Sequence, residues 1–365
     1  MKEQKTICPV IETVLPSVSF EKIEPVIQFL ESNDTLPETS LVFPVGTVTH
    51  DGRLDLCKQN LGVDGARMIV GALKQNQSIK HLLLGTNKIG NEGAKILSEA
   101  IEHNNSLETL YLGCNHIESE GAIALCQALE DNTDIKSVWF KRNPIGKDSV
   151  PALINLLKKN KNIRTLDLVN TCLEDGFCDL FDYLKENETI ERLYLSGNYL
   201  IPQYIRHLSV TLEHNRTIKA LFLSVNNFGD EGATILAKGL VQNTVLEELS
   251  VASCGLQEIG IISLIEALMR NKNIKHLDLG YASSTRVLQS KGNEISDKTA
   301  EKLLKFIEES PQLEYLNLVK TNLSGSNKSL FSNYPNKKIV VDGQNNDNKK
   351  IKIHPDSQAI KSVYR

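Results

Sequence analysis

The chain has 365 residues, a formal net charge of −4 at pH 7 and a sequence pI near 6.1. This balance carries no polycation signature, so nothing in it points to nucleic acid or an acidic membrane as the partner. Residues Met1-Lys2-Glu3-Gln4-Lys5 lead into a mixed segment without a long apolar run, which argues against a signal peptide or membrane span and for a cytoplasmic protein. Seven cysteines without a Cys-x-x-Cys pair are expected to be buried free thiols in a reducing compartment rather than a metal site.

Residues 1–50 show no repeat. Helical spacing is present from Ser19 to Leu30, and Leu41-Val42-Phe43 reads as a strand, so this segment is expected to be an N-terminal cap. From residue 51 to 341 one pattern returns: Ile79, Leu107, Ile135 and Ile163 are spaced by 28 residues, and the register continues through Ile190, Ile218, Leu246 and Ile274 with a single step of 27. Each copy carries apolar residues two apart, such as Leu82 and Leu84 or Leu110 and Leu112, which is strand spacing. An asparagine follows in Asn87, Asn115, Asn143, Asn198 and Asn226, where an amide can satisfy the backbone of adjacent turns. A helix comes next, as in residues 93–101, where Ala94, Leu97 and Ile101 recur at three and four. A second asparagine closes the helix in Asn76, Asn104, Asn132, Asn160, Asn187, Asn215, Asn243 and Asn271, and a left-handed backbone is expected there. One such unit cannot bury its own apolar face, so neighbours must stack into a continuous core.

Three places depart from the pattern. The fourth copy runs Thr171-Cys172-Leu173-Glu174-Asp175-Gly176-Phe177, and the fifth has Tyr199-Leu200-Ile201-Pro202-Gln203 in place of its glycine element. Between Ile274 and Leu313 the step lengthens to 39, an insertion over residues 280–292. Insertions of this kind map to loops at one edge of an array, often the binding edge, which makes Tyr281 and Arg286 candidate contacts. Residues 338–341 read as a final strand, and the polar residues 342–365 as a flexible C-terminal tail.

The run Leu-x-x-Leu-x-Leu-x-x-Asn-x-Ile from Leu107 to Ile117, followed by a full helix, resembles the leucine-rich repeat. The 28-residue period and the elements Gly90-Asn91-Glu92-Gly93-Ala94 and Gly229-Asp230-Glu231-Gly232-Ala233 resemble its ribonuclease-inhibitor-like subclass. The resemblance covers about residues 51–341, some ten repeats. It implies an α/β fold: a right-handed horseshoe solenoid with a parallel sheet on the concave face, helices on the convex face, and protein recognition as the usual role. Function varies more than fold in such a family. The subclass includes nuclease inhibitors, activators of small GTPases, innate immune sensors, and bacterial effectors that act in a host-cell cytosol.

Alternation along a strand turns the repeat into a surface map. If Leu82 and Leu84 face the core, the central outward position reads Asp55, Leu83, Tyr111, Trp139, Asp167, Tyr194, Phe222, Ser250, Asp278 and Asn317 in successive copies. Leu83, Tyr111 and Trp139, and then Tyr194 and Phe222, would form an exposed apolar column of the kind that anchors interfaces. Lys141 and Arg142 follow Trp139, and the flanking outward positions supply Arg53, His81, Arg192, Glu248 and His276. No phosphate-loop, zinc-protease or nucleophile-elbow motif is present, so no catalysis and no cofactor or metal are expected. The leading expectation is a monomeric, non-catalytic interaction scaffold, an effector or inhibitor, that binds a partner protein on its concave face. The alternative is a GTPase activator using Arg53 or Arg142.

Overall fold

The computed structural model describes residues 17–335, 337–342 and 354–360, which fall into two compact units divided after Leu173. Residues 354–360 belong to the first unit.

The first unit opens with α1 (Phe20–Ser32), which buries Ile23, Val26 and Leu30. Strand β1 (Ser40–Val42) then pairs antiparallel with β2 (Thr47–Thr49), and β2 pairs antiparallel with β3 (Arg53–Asp55). From β3 the pairing turns parallel through β4 (His81–Leu83), β5 (Thr109–Tyr111), β6 (Ser137–Trp139) and β7 (Thr165–Asp167). Helices α2 (Gly62–Leu73), α3 (Gly90–Ile101), α4 (Ser119–Leu129) and α5 (Val150–Lys159) alternate with these strands. Each strand residue meets the residue one period away: Leu54, Leu82, Leu110, Val138 and Leu166 line up in one buried row. A parallel sheet with this connection requires a crossover element between strands, and the helix supplies it.

The second unit repeats the plan. Strands β8 (Arg192–Tyr194), β9 (Ala220–Phe222), β10 (Glu248–Ser250), β11 (His276–Asp278), β12 (Tyr315–Asn317) and β13 (Lys338–Val340) are parallel in register. Helices α6 (Gly176–Leu184), α7 (Pro202–His214), α8 (Gly229–Gln242), α9 (Glu258–Arg270), α10 (Asp297–Glu309) and α11 (Gly325–Ser332) alternate with them.

Two side-chain ladders hold adjacent copies at fixed spacing. Asn115 donates from Nδ2 to the carbonyls of Leu84 and Leu112, each at 2.9 Å, and its Oδ1 accepts from the Asn87 amide at 2.8 Å. Asn87 and Asn143 make equivalent bonds. Where the slot is not asparagine, chemistry close to it is kept. Thr171 and Thr321 donate to the strand carbonyls of Leu168 and Leu318, and the Cys254 thiol donates to Leu223 O at 3.2 Å.

The second ladder corrects an expectation. Asn160, Asn215, Asn243 and Asn271 are extended, with φ between −65° and −75° and ψ between 117° and 137°, not left-handed. The physical reason is reach. Asn160 Nδ2 donates to Leu129 O and Asn132 O in the preceding copy, both at 2.7 Å, while Oδ1 accepts from the Ile163 amide at 3.0 Å. These asparagines stand at the C-cap of their helices, as expected, and bridge copies from there without a left-handed backbone. The left-handed positions lie elsewhere: Gly90 at the start of α3 has φ +60°, and Thr86 and Lys88 flank the Asn87 slot at +61° and +57°.

The insertion after β11 is ordered and docks on the preceding copy. Thr285 Oγ1 and the Ala282 amide both reach Ser253 Oγ, Ser290 Oγ donates to Ser253 O, and Leu288 is buried. The expectation of a flexible tail over 342–365 does not hold for residues 354–360. Residues Pro355–Ala359 form a short helix, α12, and Ile360 after it is fully buried, which a polar average over the tail does not reveal. The other tail residues past 342 lie outside the described residues.

Candidate protein-binding face

The side chains that flank the buried central leucine of each strand project from the sheet on the side turned away from the repeat helices, here called the strand face. In the first unit this face carries Arg53, Asp55, His81, Leu83, Thr109, Tyr111, Ser137, Trp139, Thr165 and Asp167.

Leu83, Tyr111 and Trp139 stand side by side as expected, with the Tyr111 and Trp139 rings 6.4 Å apart. Their expected exposure is a correction, since Leu83 and Trp139 are 0% exposed and Tyr111 only 4%. Part of the reason is local. The Tyr111 ring lies along the sheet over Gly85 and Gly113, where an added Cβ would come within 2.6 Å of it, and Trp139 Nε1 donates to Ser137 Oγ at 2.6 Å.

Beyond the strand ends the same face turns ionic. Lys141 and Arg142 are half-buried, and Asp167 is buried. Burial pushes the Asp167 carboxyl up to about 6, against the pull of Lys141, of the Val169 amide 2.8 Å away, and of Arg142. Burial likewise lowers Lys141, with Asp167 opposing it. Arg53 Nη1 lies 3.5 Å from the carbonyls of Gln358 and Ala359.

The strand face of the second unit is more open. Tyr194 and Phe222 are half-exposed and stack with ring centroids 4.2 Å apart and planes 6° from parallel. Beside them Arg192 crosses the small Ala220 of β9 to reach Glu248 on β10, its Nη1 and Nη2 donating to the two carboxylate oxygens at 3.0 and 3.2 Å. A two-point guanidinium–carboxylate fork fixes both partners in direction as well as distance. Burial works against the Arg192 charge, and Glu248 with Tyr194 outweighs it and raises its pKa. The guanidinium also lies 5.4 Å from the Phe222 ring centroid.

A polar row continues from the stack. Ser224 and Ser250 share a hydrogen bond of 2.6 Å, Ser250 Oγ donates to Asp278 Oδ2 at 3.0 Å, and Asn317 Nδ2 donates to Asp278 Oδ1 at 2.9 Å. Burial raises the Asp278 carboxyl, and the Gly280 amide, Ser250 and Asn317 offset it. Phe222, Glu248, Ser250, His276, Asp278 and Tyr315 line one hollow. Of the insertion residues, Tyr281 packs its ring under Lys320 Nζ at 4.4 Å and Arg286 is exposed.

The Arg192–Glu248 fork was not paired by sequence reasoning, although both residues had been assigned to this face. Its signal was present in their separation of 56, two full periods, with alanine on the strand between. Among the described residues no group of three or more His, Cys, Asp or Glu side chains could hold a metal ion, no disulfide joins the cysteines, and no helix is long and apolar enough to cross a membrane. Among the described cysteines, Cys126 and Cys254 are buried and Cys57, Cys114, Cys172 and Cys178 are half-buried.

No curated protein matches the sequence. The chain is similar to a solved structure titled the Rad7 and Elc1 complex in yeast, at 14% identity over 88% of each chain with a TM-score of 0.42. It is also similar to one of the actin-binding site 2 of leiomodin-1, at 15% identity over 36% of this chain and 70% of that one, with a TM-score of 0.27. The family model described as leucine-rich repeat matches residues 75–98, 103–126 and 214–237. The chain is thus an α/β protein with leucine-rich repeats in both units, a type of repeat that generally serves as a platform for binding other proteins.

Proposed function

We propose that this chain is a non-catalytic interaction protein that holds a partner protein against its strand face, with Tyr194 and Phe222 as the anchors. The observation that carries the reading is the half-exposed stack of those two rings beside the Arg192–Glu248 fork. Aromatic residues with a fixed polar frame supply contact area at small cost in side-chain entropy, and they dominate interface energetics where a partner seals them from water. The 28-residue register supports membership in the ribonuclease-inhibitor-like subclass. Glu248, His276, Asp278 and Tyr315 would offer hydrogen bonds to the partner backbone, and Tyr281 with Arg286 would extend the contact at the edge.

Proximity labelling with the intact protein and with a Tyr194→Ala, Phe222→Ala double variant tests this. The labelled set should lose its leading members in the double variant while circular dichroism stays unchanged. An identical set from both proteins would refute the assignment of the anchors.

A further inference from the structure

On the strand face of the second unit a short side chain stands between large ones. Ser250 on β10 is small, whereas Phe222 on β9 and Tyr315 on β12 carry rings. These residues, with Glu248, His276 and Asp278, line a hollow of about 190 Å³. A cavity of about 150 Å³ accepts a benzene ring, so this one has room for a flat group of that size on a stem. Phe222 is fixed by its stack on Tyr194, and His276 braces Tyr315 edge-on with ring centroids 6.1 Å apart and planes at 78°. Both aromatic walls are therefore in place before anything enters.

The two carboxylates of the hollow are paired differently. Glu248 is met by the Arg192 guanidinium. Asp278 accepts from the Gly280 amide, from Ser250 Oγ and from Asn317 Nδ2, and all three of these donors are neutral. The His276 imidazole has its Nε2 3.7 Å from Glu314 instead. Burial and the Asp278 charge push the Tyr315 hydroxyl up to about 12, so the field of that carboxylate reaches the ring wall. A carboxylate withdrawn from water and served by neutral donors is costly, and a cation brought to it gains more than it would in bulk water.

We propose that this hollow seats an arginine side chain of the partner protein, with the guanidinium donating to Asp278 and lying between Phe222 and Tyr315. A guanidinium is planar, forks onto carboxylates and stacks on aromatic faces, which suits these walls better than the compact ammonium of lysine. An anion is repelled, because two carboxylates line the hollow and Arg192 is already engaged. An apolar side chain would bury the Asp278 charge further without answering it. The partner class is thus a protein that presents an arginine to the strand face. This statement of the partner's chemistry rests on the proposed function, while the affinity of the hollow for arginine does not.

The probe is an acetylated, amidated tripeptide with arginine between two alanines, compared with its citrulline counterpart, which keeps the shape and loses the charge. Binding to the intact protein is followed by nuclear magnetic resonance at the amides of Ser250, Asp278 and Gly280. The arginine peptide should shift these signals saturably, and the citrulline peptide should bind at least about tenfold more weakly. Asp278→Asn keeps an oxygen for the Gly280 amide and for Asn317, and it should weaken the arginine peptide by at least about tenfold with circular dichroism unchanged. Tyr315→Leu removes one wall, leaves both carboxylates and should weaken the peptide several-fold. The proposal is overturned if no saturable shift appears at these amides, if the citrulline peptide binds equally well, or if either folded variant binds the arginine peptide as the intact protein does. No partner enters this experiment, so its failure is distinguishable from failure of the proposed function, which is read from labelling with the Tyr194 and Phe222 variant.

Discussion

Replacing Asn115 with alanine would remove one rung of the ladder that sets the spacing of the repeats. The side chain is fully buried, and its loss leaves the Leu84 and Leu112 carbonyls and the Asn87 amide without this partner. Orphaning a buried polar group costs about 1–3 kcal/mol, which falls on the Asn87 amide, whereas Leu84 O keeps the Asn87 Nδ2 donor and Leu112 O the Asn143 Nδ2 donor, so that each carbonyl loses one bond worth about 1 kcal/mol. Together these give a loss of about 3–5 kcal/mol, a large fraction of the 5–15 kcal/mol typical of a folded domain. Urea unfolding followed by circular dichroism measures it, with Asn105→Ala as control, because Asn105 is exposed and a surface change of this kind stays within about 0.5 kcal/mol. A loss below about 1 kcal/mol for Asn115→Ala would refute the view that the amide ladder specifies the coil.

The odd member of the ladder predicts the opposite sign. Cys254→Asn restores an amide able to donate to Leu223 O and to accept from the Asn226 amide, so unfolding should move to higher urea by about 1 kcal/mol, and destabilisation would show that the slot has adapted to sulfur. Asp167 makes stability depend on pH. Its folded pKa of about 6 lies above the ordinary value of 3.8, so its contribution is fully present below the ordinary value and is lost as pH rises through about 6. Against Asp167→Asn, which keeps an acceptor for the Val169 amide, the wild type should lose up to about 3 kcal/mol between about pH 4 and 7. Parallel pH dependence of the two proteins would show that the carboxyl is not held in a buried site. Gly93→Ala would bring a methyl group 2.5 Å from Ile89 Cβ at the start of α3, and a melting temperature lowered by a cost of about 1–3 kcal/mol is expected.

How much of this was legible beforehand follows from the range of the interactions involved. The strand register and the Asn87–Asn115–Asn143 ladder depend on contacts one period away, and the period was written plainly in the chain, while α1 was legible from its own helical spacing. The backbone of Asn160 and its equivalents was misjudged because a local capping preference was applied to a side chain whose work is to span copies. The sealing of Trp139 could not be read from its own repeat. Its burial is a property of the folded sheet, just as the meeting of Arg53 with Gln358 and Ala359 joins residues 305 or more apart. The polar composition of residues 342–365 concealed Ile360, since an average over a tail says little about one buried side chain. Tyr194 and Phe222 were placed correctly on one face because alternation within a strand is strict.

The most direct test of the central claim is the dissociation constant of a partner recovered by proximity labelling, measured by calorimetry for the intact protein and for the Tyr194→Ala, Phe222→Ala double variant. A sealed aromatic anchor contributes about 2 kcal/mol, so the double variant should bind at least roughly 30-fold more weakly, with unfolding by urea unchanged. An unaltered dissociation constant in a folded double variant would contradict the assignment of the strand face of the second unit as the binding surface.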